Sequence, residues 1–432
     1  MTSNSPRILI VDQSLRDMAG HHYEYDLALF RAAADAGVRV VVGAHASVQP
    51  LDLLGDNVRA WFQRAWYESH EVPPAPVAAA KPVLGWLPSS IRAPLARSAR
   101  RVIGPRQAPP VRTATGSGFG DEVLALIRAE GLGANDHVLI HTFSIPELDS
   151  LIELARSHDE LPPIHIIFRR DAEEPSVAGG PDGGIRGSLT RLASFSSAVA
   201  VLRLYADTED LARQYAALVP GLKTAVIPIP HCLPPSEATD VARKEGPLRI
   251  VYLGDARDEK GFHLLPDLVD ALADQFFSEA RARFVVQGNI SVAGDNPMLS
   301  AARERLAAYP PGQVELMAEQ LGVAAFHDLV RNADIVLLPY DPKAYARRSS
   351  GILIQALAAG RVVVVPAQTW LAAQVHPAAS VLFGSDGTLA DAVATAVDDW
   401  PRLSKGAQER AELFRAHHDP SRYITQLLRA RT

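Results

Sequence analysis

Two short stretches of this chain place cations and backbone donors where a doubly charged anion would sit. The first is Tyr345–Pro366, YARRSSGILIQALAAGRVVVVP. A loop bearing Arg347 and Arg348 leads into Ser349-Ser350-Gly351, then an apolar helix over Ile352–Ala359 closes on Gly360, and a valine strand over Val362–Val365 stops at Pro366. The N–H groups of Ser350, Gly351 and Ile352 would stand at the positive end of the helix dipole, which suits a diphosphate; an ordinary surface helix with a serine cap is the plainer alternative. The second stretch is Leu253–Gly261, LGDARDEKG, which puts Gly254, Arg257 and Lys260 after a strand. Two cations there can neutralise a departing diphosphate, or they pair with Asp255, Asp258 and Glu259 in a solvated loop. The spacing is not that of a dinucleotide-binding glycine fingerprint.

Other chemistry-bearing residues lie in the first half. His21 and His22 follow Gly20, with Glu24 and Asp26 close by, and suit substrate contact at a helix start better than a metal. Asp207-Thr208-Glu209 reads as the cap and acidic first turn of a helix over Leu211–Leu218. Arg169 and Asp171 follow a strand end, before the glycine-rich Gly179–Gly187, and would line the same cleft. The GSGFG run at Gly116–Gly120 follows coil and makes a poor nucleotide loop. We expect no metal and no bound cofactor.

Elements must carry these residues. The 432-residue chain suits two domains. Arg7–Asp12, Val38–Gly43, His137–His141, Ile164–Phe168 and Ala198–Leu202 read as strands, with Ala225–Pro230 as a last one and a helix over Tyr23–Ala36. Pro228–Pro247 holds five prolines and reads as a linker. The rhythm then restarts: strands at Leu248–Leu253, Phe284–Gln287, Val314–Met317, Ile335–Leu338, Val362–Val365 and Val381–Phe383, and a helix at Phe262–Asp274. The expected domains are 1–230, a linker 231–247, 248–400, and C-terminal helices 401–432 that pack back on the first domain. The fold class is α/β, two Rossmann-like doubly wound domains facing a central cleft.

Three segments in order, G…R..EKGF.LL, Ala333–Pro339 (ADIVLLP) and SG….AL..G..VVV, resemble the C-terminal domain of retaining GT-B glycosyltransferases, the group with glycogen-synthase-like enzymes and bacterial mannosyl- and glucosyltransferases. The resemblance covers Leu248–Gly384; the first half matches by layout and by Asp17–His22 (DMAGHH). It implies that Arg257 and Lys260 hold the donor diphosphate, that Ser350, Gly351 and Ile352 donate N–H groups to it, and that Gln355 binds the ribose. It further implies that His141 touches the transferred sugar and that Gly20 lets the acceptor side approach it. The group carries two glutamates eight positions apart where this chain has Arg347 and Gln355. Gln355 still bonds a diol, but Arg347 cannot accept from sugar hydroxyls.

The resulting expectation is a metal-independent retaining glycosyltransferase with a nucleotide-sugar donor and a saccharide or lipid-linked acceptor. Its alternative is a silent sugar-nucleotide-binding or scaffold protein. The net charge of −6 argues against nucleic acid, the single cysteine, Cys232, against a disulfide or cysteine metal site, and the polar start against a signal segment. A cytoplasmic setting is expected. Pro73–Gly120 has seven basic residues, including Arg97, Arg100 and Arg101, and no acidic one; it would meet an anionic membrane surface or a charged acceptor, or is a solvated loop.

Overall fold

The computed structural model describes residues 5–18, 21–65, 118–179, 183–233, 245–290, 296–384 and 387–429. Gly20, the linker core and almost all of the basic segment, residues 73–117, lie outside them. Two parallel sheets dominate. The first holds β1 (Arg7–Asp12), β2 (Arg39–His45), β3 (Val58–Phe62), β4 (His137–Ile140), β5 (Ile164–Phe168), β6 (Leu202–Ala206) and β7 (Thr224–Val226), in the order β3-β2-β1-β4-β5-β6-β7. The second holds β8 (Leu248–Tyr252), β9 (Ala282–Gln287), β10 (Val314–Met317), β11 (Ile335–Leu337), β12 (Val362–Pro366) and β13 (Ser380–Phe383), in the order β10-β9-β8-β11-β12-β13.

Each sheet reverses direction of strand order once, between β1 and β4 and between β8 and β11. Such switch points open a crevice at the strands' carboxyl ends. The first crevice lies beyond Asp12 and Ile140, the second beyond Tyr252 and Leu337. Strands covered on both faces are continuously apolar, and Val362–Val365 are fully buried.

The helices that matter here are α1 (His21–Asp35), α2 (Glu209–Leu218), α3 (Leu265–Phe277), α4 (Val323–Arg331), α5 (Gly351–Ala358), α6 (Trp400–His417) and α7 (Pro420–Arg429). The last one lies against α1: Tyr423, Ile424 and Leu427 are buried in one apolar cluster with Tyr25 and Leu29. His418 and Gln426 bond the carbonyls of Ile229 and Val226 at 2.7 and 2.6 Å.

Four readings of the sequence need correction. Ser196–Val201 is a helix, and the strand expected at Ala198–Leu202 starts only at Leu202, where LRLYA alternates and pairs with β5. A short apolar run does not distinguish the two periods. The expected strand Ala225–Pro230 ends at Val226, because Pro228 and Pro230 have no N–H to give a ladder. The edge strand β3 has no counterpart among the expected strands; its VRAWF shows no clean alternation, and only Phe62 of the five is buried. Phe262–Leu264 forms a 3-10 turn ahead of α3, which runs on to Phe277.

Candidate functional site

The second crevice gathers the expected diphosphate residues. The chain leaves β8 through Gly254 at φ +96°, whose N–H donates to Gln287 Oε1 at 2.8 Å. A Cβ on Gly254 would fall 2.5 Å from Lys260 Nζ and 2.7 Å from Ile352 Cδ1. The missing side chain therefore lets the ammonium reach across the backbone to the start of α5. Gly261, at φ +70°, is pinned against the Pro339 carbonyl, 1.9 Å from where a Cβ would stand. That close approach fixes the Lys260 turn to the end of β11.

Lys260 is buried, and no hydrogen bond or ion pair reaches its ammonium among the described residues. Burial, then repulsion from Arg257 and Arg348, brings it down to about 7, against Asp255 and Glu259. Arg257 touches Glu259 at 3.1 Å, while its Nε is buried without a partner among the described residues. Arg348 lies over the Tyr345 ring at 5.2 Å. Ser350 caps α5, its Oγ accepting from Leu353 N–H at 3.3 Å. The N–H groups before it have no partner within the helix. Arg257, Arg348 and Lys260 thus gather beside a helix N-terminus, and among the described residues only Arg257 of the three is in an ion pair.

The loop before α5 is also tied to the first domain. Ser349 Oγ donates to Asp207 Oδ2 at 2.6 Å, and Thr208 Oγ1 donates to the Arg347 carbonyl at 3.2 Å. Arg347 reaches Asp171 at 2.8 Å and Glu173 at 3.5 Å. Despite partial burial, Gln214, the Glu173 N–H and Arg347 hold Asp171 below the usual carboxylate range. Gln355 is buried on α5, and its Oε1 accepts from the Cys232 N–H at 3.1 Å. His327 on α4 sits 2.5 Å from Glu24 on α1.

The first crevice holds a buried acid–imidazole network. His22 Nδ1 lies 2.7 Å from Asp12 Oδ2, and His141 Nε2 lies 2.9 Å from Asp26 Oδ1 and 3.7 Å from Asp12 Oδ2. His141 Nδ1 faces Thr142 Oγ1 at 3.2 Å, so neither ring nitrogen of this buried histidine points free into the cleft. Burial opposes ionisation of Asp12, yet His22, His141 and the Ser14 N–H hold it well below the carboxylate range. Asp26 is pushed up to about 6, by burial and then by Asp12. Against burial, Asp12 and Asp26 raise His22 above its ordinary value. Arg169 lies over the Tyr25 ring at 5.2 Å and 3.5 Å from Asp207. Tyr25 itself packs on His141 at 4.6 Å between ring centroids.

Among the described residues the one group able to gather around a cation is Asp12, Asp26 and His141, whose ligand atoms lie within 4.8 Å of one another. The donor set suits a divalent ion, but an imidazole already bonds each carboxylate. The sequence set His21, His22 and Glu24 beside Asp26 and favoured substrate contact there over a metal; the fold sets Asp26 beside Asp12 and His141, with His22 bonded to Asp12. Only the backbone of His21 is described. Thr208 does cap α2, accepting from Leu211 N–H at 3.1 Å. The sequence reading missed Asp12 and gave Asp207 no site role. The one signal was position, since each ends or follows an apolar strand.

Comparison with solved structures places this architecture. HepE of Anabaena in complex with UDP is 13% identical over 98% of each chain, with a TM-score of 0.57. Sucrose-phosphate synthase from Thermosynechococcus elongatus is 15% identical over 99% of this chain and 98% of its own, at 0.58. The trehalose-6-phosphate synthase OtsA is 14% identical over 98% and 99%, at 0.62. The fold is GT-B. No family model and no curated protein matches the sequence. In GT-B terms, the Lys260 crevice belongs to the C-terminal Rossmann-like domain and the Asp12 network to the N-terminal one.

Proposed function

We propose that this protein is a glycosyltransferase that moves a sugar from a nucleotide-sugar to a saccharide or lipid-linked saccharide, retaining the anomeric configuration and needing no metal. The observation that carries the proposal is Lys260. Lys260 is a buried residue whose ammonium makes no ion pair among the described residues, and the repulsion from Arg257 and Arg348 beside it, at the start of α5, leaves room for a further counter-charge. A nucleoside diphosphate supplies it. Solved structural neighbours include HepE with UDP and with UDP-glucose, which makes uridine nucleotides the first probes.

In the reaction, the bond from the sugar's anomeric carbon to the diphosphate breaks and the acceptor oxygen bonds that carbon. The acceptor's proton passes to the departing phosphate. Lys260, Arg257 and the N–H groups of Ser350, Gly351 and Ile352 stabilise the charge that develops there. Arg169 and the Asp12–His22 and Asp26–His141 pairs line the acceptor side. No helix among the described residues is long and apolar enough to cross a membrane. The basic segment at 73–120 would bring an anionic or lipid-linked acceptor to the cleft.

A silent sugar-nucleotide-binding protein is the second reading. Arg347 is engaged by Asp171, and Gln355 by Cys232, at the two positions where the related group has glutamates. Release of UDP from UDP-glucose by the purified protein, with and without EDTA, separates the readings. Turnover that survives chelation supports the proposal. Nucleotide binding with no turnover on any sugar or acceptor supports the second reading.

A further inference from the structure

Asp207 follows β6 and is buried at the meeting of the two domains. Its Oδ2 accepts from Ser349 Oγ at 2.6 Å and lies 3.5 Å from Arg169 Nε. Its Oδ1 is buried and has no hydrogen-bond partner among the described residues. A buried carboxylate oxygen without a donor is costly, and native folds keep one where a ligand completes it. Ser349 immediately precedes Ser350, the cap of α5. The Asp207 carboxylate therefore bonds the residue that directly precedes the N–H groups assigned to the diphosphate. Arg169 already offers the compensating charge, so this oxygen calls for a neutral donor, a hydroxyl. No carboxylate lies between Lys343 and Ile352, and Arg347 turns away to Asp171 and Glu173, so the loop itself brings no carboxylate there.

Resting on the donor-site reading above, we propose that Asp207 Oδ1 accepts a hydrogen bond from a hydroxyl of the donor's sugar, making Asp207 a specificity-determining residue of the transfer. The first domain then supplies the sugar-reading carboxylate, across the cleft from the helix that holds the diphosphate. A sugar without that hydroxyl leaves the oxygen unpaired and is rejected.

The test is calorimetric titration of UDP and of UDP-glucose into the unaltered protein, Asp207→Asn and Ser349→Ala. In Asp207→Asn the amide carbonyl still takes the Ser349 hydroxyl, while an N–H₂ replaces Oδ1 and turns the acceptor into a donor. The expected result is UDP affinity within about threefold of the unaltered protein and UDP-glucose affinity weaker by about tenfold or more. Ser349→Ala should shift both ligands by one common factor. Equal effects of Asp207→Asn on both ligands, or none on either, would overturn the proposal and leave Asp207 as a tie between domains. UDP-sugars lacking single ring hydroxyls, titrated into the unaltered protein, give a second reading that needs no variant. One of them must bind at least about tenfold more weakly than UDP-glucose; if all bind alike, the proposal fails. A protein that binds no UDP at all would overturn the donor site itself and this inference with it.

Discussion

Lys260 is held in a state that suits a ligand more than it suits the fold. Burial and the neighbouring Arg257 and Arg348 bring it to about 7 from 10.5. Between those values the unfolded chain holds a proton that the folded chain has shed, so folding stability rises with pH across that window. The burden of the buried cation is full below about 7 and fades towards 10.5. Lys260→Met should therefore raise the melting temperature of the ligand-free protein near neutral pH. The same variant should weaken UDP binding by at least about tenfold, since a charge-assisted contact contributes roughly 1.5–3 kcal/mol. A variant that melts lower, or binds UDP normally, would remove Lys260 from this role. Asp26 carries the opposite sign. Its folded value of about 6 stands above the ordinary 3.8, so its contribution is favourable at low pH and is lost as pH rises through 6. Asp26→Asn should stabilise the protein above pH 6 by on the order of 1–3 kcal/mol, with the gain vanishing near pH 4. Urea unfolding at the two pH values checks it; an equal effect at both would show that His141 fully offsets the Asp26 charge.

Elements written in contiguous residues are legible from the sequence alone. The valine strand, the serine-capped helix and the glycine-closed turn each depend on neighbours a few positions away, and β12 and α5 fall within a residue of their expected bounds. The Gly254–Gly261 turn is legible as a cation-bearing loop for the same reason. What local pattern cannot encode is partnership across the chain. Asp207 meets Ser349 across 142 positions and Arg347 meets Asp171 across 176, so the first passes for a helix cap and the second for a donor-loop cation. His141 is expected, correctly, at a strand end, but nothing local signals its enclosure by Asp26, 115 positions earlier. The turn itself makes a sharp prediction. Gly261 has both a positive φ and a carbonyl where a Cβ would go. Gly261→Ala should destabilise the second domain by roughly 1–3 kcal/mol and displace Lys260, lowering UDP affinity as well. The same substitution at Gly351, where nothing lies within 4 Å of a Cβ, should leave stability nearly unchanged. Equal thermal denaturation of the two variants would contradict this account of the turn.

At the scale of the molecule, two sheets are joined by a connector and by helices that return. Leu427 on α7 is fully buried, in the cluster that includes Tyr25 and Leu29 of α1. Leu427→Ala should cost about 2–5 kcal/mol on chemical unfolding; a change below about 0.5 kcal/mol would mean that α7 is not docked in solution. The return of α7 sets the first domain opposite the Lys260 crevice, and with it the contacts of Ser349 to Asp207 and of Arg347 to Asp171. The whole account turns on that crevice accepting a diphosphate. Its most direct test is the titration of UDP into the protein between about pH 6 and pH 9, in buffers of different ionisation enthalpy. A diphosphate returns Lys260 to its charged form, so binding near pH 8 should take up close to one proton, and affinity should fall by up to about tenfold per pH unit above 7. Binding with no proton uptake and no such pH dependence, or no binding at all, would contradict the central claim.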